Sequence, residues 1–177
     1  MATGMQVANY VIQRYNETKE NKDYRPLTNL KLQKILYFIQ GWTVSGVGAG
    51  DALINDTFEK WKFGPVIREV YREFKSEGAN ELLNPMTIAT INNNRLEFDL
   101  PMLDNSDFDR MDDLNILIDN LLRRSATELV NETHREVPWS KQKDAIESGA
   151  QNLEYSISEI RDVFTNDSTA QEFIEIQ

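Results

Sequence analysis

The chain of 177 residues contains no cysteine and a single histidine, His134. The first absence excludes disulfides, thiolate zinc sites and cysteine nucleophiles, and the second excludes any site that needs two imidazoles. Long apolar runs are missing as well. No stretch approaches the ~18–20 residues that span a bilayer, and Met1-Ala2-Thr3-Gly4 lacks the basic-then-apolar pattern of a leader, so a cytoplasmic location without membrane insertion is expected. There is no internal repeat and no low-complexity run.

What is present suits one domain, or one domain with a short appendage. The hydrophobic fraction of 40% can build a single core at this length. The net charge of -10 is unevenly spread. Residues 1–75 carry 11 basic and 8 acidic side chains, whereas from Asp144 onward eight acidic groups face Arg161 alone. Such asymmetry bears on partners rather than on fold: the acidic half should repel nucleic acid and attract a basic protein. With a sequence pI of 4.6, specific nucleic-acid binding is the poorer expectation.

Apolar spacing predicts a first helix over residues 5–19 and a second capped by Thr28, with Leu32, Ile35, Leu36, Ile39 and Trp42 inward and Lys31, Lys34 and Gln40 on the opposite face. Gly46, Gly48 and Gly50 then form a turn; a phosphate loop would follow a strand and end in Lys-Ser/Thr. Asn55–Phe63 reads as extended. Gly64-Pro65 reads as a turn from which a third helix starts, with Ile67, Val70, Tyr71 and Phe74 buried and Gly78 as its stop. A β-hairpin is expected over residues 87–98, turning at Asn92-Asn93-Asn94 and leaning on helices or on the Asn55–Phe63 segment. Aspartates 104–113 precede a helix ending at Arg123-Arg124, the charge order a helix dipole favours. Capping patterns at Ser125, Ser156 and Ser168 mark later helices, while Val137-Pro138 reads as a stop. The expected fold class is α+β, predominantly α-helical, a multi-helix domain with a small β-hairpin or short antiparallel sheet. Residues 1–149 form the main domain, and residues 150–177 form an acidic helical segment packed on it.

The residues offer little chemistry. His134 lacks a nucleophile motif and, at a helix C-terminus, is more simply a structural partner; a hydrolase pairing it with a nearby acid is the minor alternative. The aspartate run lacks the glycine and terminal glutamate of a calcium loop, so no metal and no cofactor are expected. Trp42 reads as core. Trp61 and Trp139 read as core plugs with their indole N–H groups satisfied by backbone, or alternatively as interface anchors.

Three runs together resemble one family. Leu30–Trp42 is similar to its KLQKLLYFAQGW helix and contributes Gln33, Lys34 and Tyr37. Phe58–Tyr71 resembles its AWKYGPVVPEVY segment and contributes Trp61, Gly64, Pro65 and Val66, with Lys60 where alanine is usual and Ile67-Arg68 in place of valine-proline. Leu129–Trp139 resembles its L-x-x-x-T-H-x-x-x-P-W segment and contributes His134 and Trp139. Order and spacing agree over residues 27–143, and by these marks the chain resembles the Panacea domain of SocA-like antitoxins and GepA-like phage-associated proteins. The resemblance implies a non-enzymatic module, encoded on a prophage or mobile element, that neutralises a protein toxin by direct binding. The alternative is a phage accessory protein or proteolytic adaptor acting on a host factor without a cognate toxin. It identifies neither the toxin nor the oligomeric state. These motif residues are expected to be structural or partner-binding. In the acidic segment beyond the resemblance, Phe164, Phe173 and Ile174 are expected as apolar anchors for the partner.

Overall fold

The computed structural model describes residues 1–92, 95–104 and 106–176. Among them the chain is a predominantly helical α+β fold. Helix α1 (Gly4–Thr18) starts at a capping box between Thr3 and Gln6. Helix α2 (Asn29–Val44) is capped by Thr28, whose side chain accepts from the Lys31 N–H. A two-stranded antiparallel sheet follows, β1 (Glu59–Trp61) with β2 (Gly64–Val66), then the short helix α3 (Arg68–Glu73). A second antiparallel pair joins β3 (Ile88–Asn92) to β4 (Arg95–Asp99), in a sheet of its own. Helices α4 (Met111–Arg123), α5 (Ala126–Arg135), α6 (Val137–Ser140), α7 (Lys143–Glu147), α8 (Ile157–Asn166) and α9 (Ser168–Ile174) complete the chain. The hairpin turn expected at Asn92–Asn94 falls largely on residues 93 and 94, outside the described residues.

Helix α2 is the axis of the fold. Helices α1, α3, α4, α5, α8 and α9 and strand β2 all pack on it. Every residue of α2 except Leu30 is buried. This corrects the expectation of a solvated face at Lys31, Lys34 and Gln40. A sequence pattern shows one apolar stripe, but a helix surrounded by seven elements has no outer face. Its polar side chains are instead satisfied by main chain from the surrounding segments. Lys31 donates to the carbonyls of Arg25 (2.9 Å) and Leu122 (2.6 Å). Gln40 exchanges two hydrogen bonds with the backbone of Ile54, each 2.9 Å long.

Gly64-Pro65 corrects a second expectation. The chain reverses at Lys62-Phe63, and Gly64 and Pro65 belong to the returning strand β2; α3 starts only at Arg68. Proline is tolerated in so short a strand because the ladder loses little by its missing N–H. The stop expected at Val137-Pro138 is present: α5 ends at Arg135, Glu136 is extended, and a separate short helix then begins. Proline occupies the first turn of α6, where its N–H is not required. Helix α9 is capped by Asp167, one residue before the expected Ser168.

Residues 153–155 run beside β1, with Lys60 N–H donating to the Leu153 carbonyl and Tyr155 N–H to that of Phe58. This path delivers α8 to α2 at Gly41, where a Cβ would overlap the Phe164 ring. Phe164 meets Tyr37 and Phe38 at centroid distances of 5.5 and 5.6 Å, and Phe173 stacks on Phe38 at 5.3 Å. Phe164 and Ile174 are fully buried and Phe173 is half-buried. The side chains expected to anchor a partner are therefore engaged inside the domain, because the acidic helices turn their apolar faces onto α2.

The close approach at Gly41 makes a prediction. Gly41→Ala gains about 1 kcal/mol of helix propensity but forces α8 outward at an overpacking cost of up to about 3 kcal/mol. A net loss of about 2 kcal/mol is expected in urea denaturation. A midpoint equal to or above that of the wild type would contradict the α2–α8 packing.

Candidate functional site

The three sequence runs shared with the Panacea pattern meet at one joint on α2. Gln33 and Lys34 lie one turn before Tyr37, on the side of α2 facing β2 and α5. The Gln33 amide oxygen accepts from the Ile67 N–H at 2.9 Å, closing the main chain just after β2. The Lys34 ammonium donates to the Pro65 carbonyl at 2.7 Å. Tyr37 donates its hydroxyl to the Glu136 carboxyl at 2.6 Å. Gly64 sits against Thr133 of α5. Its φ of +88°, together with the absence of room for a Cβ beside the Thr133 hydroxyl, requires glycine there. Val66 is buried beside them.

His134 and Trp139 close the joint from the α5–α6 side. Their rings stack at 3.8 Å with an interplanar angle of 15°. The buried Trp139 indole donates to the carbonyl of Trp61 at 2.9 Å, as a plug satisfied by backbone. Trp61 behaves differently. Half-buried, it rests edge-on against Tyr71 at 4.9 Å, and its indole donates to the Glu59 carboxylate rather than to backbone. Strand β2, through Pro65, makes the contact with α2.

The electrostatics of this joint are unusual for a scaffold. Lys34 is wholly enclosed, and desolvation lowers its pKa to about 7 against the pull of Glu136 in the opposite direction. Desolvation pushes the Glu136 carboxyl well above its ordinary range, aided by Glu132 and Asp167 and opposed by the Tyr37 hydrogen bond. One of its oxygens has no partner. Tyr37 and Tyr155 are raised by burial and by the same carboxyl. His134 is lowered, first by desolvation and then by the neighbouring Lys34. Lys34, Tyr37, Glu136 and Tyr155 are sealed from solvent, whereas His134 is half-buried. Buried ionisable groups held to main-chain partners resist substitution because removing one partner strands the other.

Sequence reasoning missed Glu136. It lies inside the third run, between His134 and Trp139, and nothing in its spacing separates it from the many exposed acids of the chain. Beside it, a groove of about 750 Å³ opens between α6 and α8, lined by Val137, Pro138, Gln142, Glu159, Asp162 and Asp167. Lys60, buried next to this region, pairs with Glu159 at 2.9 Å and lies over the Tyr155 ring. The lysine that departs from the usual alanine thus ties β1 to α8. Among the described residues no helix is long and apolar enough to cross a membrane.

This arrangement, in which the three runs brace one another around a central helix, coincides with the comparisons. A sequence model described as "Antitoxin SocA-like, Panacea domain" matches residues 32–140, and the chain belongs to that family. Antitoxin SocA of Caulobacter vibrioides (strain NA1000 / CB15N) is 48% identical over 59 residues, covering 33% of this chain and 30% of the relative. The chain therefore aligns with less than a third of the curated relative it matches. No solved structure matches.

Two measurements check this description. In the folded protein Lys34 binds its proton less tightly than in the unfolded chain, so the unfolded state holds the extra proton between about pH 7 and 10.5. Stability should rise with pH across that window and be lost as pH falls through it. In Lys34→Met the rise, followed by urea midpoints, should become shallower, leaving the part due to Lys31, whose pKa is lowered to about 8 by the same desolvation. An unchanged slope would contradict the enclosure of Lys34. Separately, His134→Ala should cost about 1 kcal/mol of stability through loss of the stacked ring. Unaltered stability would remove its structural role.

Proposed function

We propose that this protein is an antitoxin that binds a protein toxin directly and neutralises it by covering a functional surface, without catalysis. The observation that carries this reading is the family match over residues 32–140, joined by the 48% identity to a protein named as an antitoxin. The chemistry of the motif joint supports a non-enzymatic role. Its most perturbed groups, Lys34, Tyr37 and Glu136, are enclosed and bonded to main chain or to each other, as bracing requires. Catalysis asks instead for a group that can reach a substrate. The surplus of acidic over basic side chains beyond residue 75 favours a basic partner and speeds encounter with it. The protein acts in the cytoplasm, where its toxin is made.

The test is co-expression. Each gene neighbouring the one that encodes this chain is induced alone and then together with it. At least one neighbour should arrest growth by itself, and this chain should restore growth and co-purify with that product. If no neighbouring product is neutralised, the antitoxin reading fails. Rescue that requires His134 while His134→Ala keeps full stability would favour an enzyme instead.

A further inference from the structure

The β3–β4 hairpin stands away from the rest of the domain with its apolar face turned to solvent. In its register Ala89 lies opposite Phe98 and Ile91 opposite Leu96. These pairs are two residues apart, so all four side chains share one face. They are exposed, with Ile91 75%, Phe98 70% and Leu96 60% accessible. The opposite face carries Thr90, Arg95, Glu97 and Asp99, also exposed, and only Ile88 at the base touches the core.

The base is firmly held. Buried Asn9 of α1 donates to the carbonyls of Met86 (2.9 Å) and Pro101 (2.8 Å) and accepts from the Met86 N–H (2.7 Å), clamping both ends of the arm. The arm is thus a rooted projection and not a frayed loop. Because its sheet has two strands, each strand keeps one unpaired backbone edge. Exposed edges in soluble proteins are usually blunted by lysine or proline. Between Thr87 and Leu100 there is neither. A two-stranded ribbon with an apolar face gains little stability by itself, so burial of that face by a partner is the contribution it can make.

We propose that this arm is the surface that receives the toxin, by adding an extended segment of it as a third strand. This rests on the antitoxin reading above. The segment has apolar residues at alternate positions, which lie beside those of the strand it pairs with and widen the Ile91, Leu96 and Phe98 face that the body of the toxin then covers, and lysine or arginine at its flanks. The basic flanks follow from charge. Between Ser76 and Asp107 the chain has one arginine and six acidic residues, including Glu97 and Asp99 on the arm itself. Main-chain pairing along the free edge supplies affinity, and the alternate side chains supply selectivity. An acidic surround also disfavours a second copy of this chain as the occupant, since like charges would be brought together.

The test uses the full chain and the growth-arresting product identified by co-expression. The triple variant Ile91→Thr, Leu96→Thr, Phe98→Thr keeps strand-forming residues while removing the apolar face. Phe98→Thr alone is carried beside it in case the triple variant fails to fold. Both variants should keep the wild-type thermal midpoint and hydrodynamic size. The triple variant should lose growth rescue and at least tenfold in affinity by calorimetry, and the single variant severalfold. Glu97→Gln with Asp99→Asn should lower affinity severalfold at low salt and little at high salt. A well-folded Phe98→Thr or triple variant that rescues and binds like the wild type overturns the proposal while leaving the antitoxin reading intact. So does a wild-type dimer that the triple variant converts to a monomer, because the face then belongs to a second copy. Failure of the wild type itself to neutralise any neighbour removes the antitoxin reading, and this proposal with it.

Discussion

The structure depends on keeping one helix dry on every side. Enclosing Lys31, Lys34, Gln33 and Gln40 in α2 would cost several kcal/mol for each lysine if the charges were left unpaired. Each is instead met by main chain: Lys31 by Arg25 and Leu122, Lys34 by Pro65, Gln33 by Ile67 and Gln40 by Ile54. These bonds run in two directions. They satisfy the helix, and they also fix the positions of the segments before α2, between α2 and β1 and just after β2, which have little regular structure to hold them, as well as strand β2 and the last turn of α4. A polar side chain at the centre of the fold therefore does what apolar packing cannot, because it specifies a single partner atom rather than a surface.

The shared sequence runs fall on this joint. Gln33, Lys34 and Tyr37 face Pro65, Ile67 and Glu136, while Gly64 lies against Thr133 and Trp139 reaches Trp61. Their identities answer to hydrogen-bond geometry and close approach. What marks the family is thus the bracing of a scaffold, and partner chemistry must reside on surfaces that the bracing leaves free. The rooted β3–β4 arm is such a surface. Its residues are released from packing, so they can vary with the partner without disturbing α2.

The acidic C-terminal helices illustrate how a charge pattern can mislead about role. Their negative charge is real and lies outward, yet their aromatic residues point the other way, onto Phe38 and Tyr37. An amphipathic helix offers an apolar face to whatever can cover it. Here α2 covers it, and Gly41 allows the approach. Exposed apolar surface lies on a hairpin whose strands read in the sequence as an ordinary small sheet.

Much of the local structure was legible from residue order. Capping boxes at Ser125 and Ser156, the Thr28 cap, the positive φ at Gly78 and the pairing of residues 88–92 with 95–99 follow from short-range rules. So does the family, because its three runs are contiguous. What the sequence alone could not determine was which face of each element meets another. Burial of Lys31 and Lys34, membership of Gly64-Pro65 in a strand, the importance of Glu136 and the exposure of Ile91, Leu96 and Phe98 were decided by tertiary structure. The reason is physical. Local propensity depends on neighbours a few residues away, whereas desolvation and exposure depend on chain segments distant in sequence, brought together only by the fold.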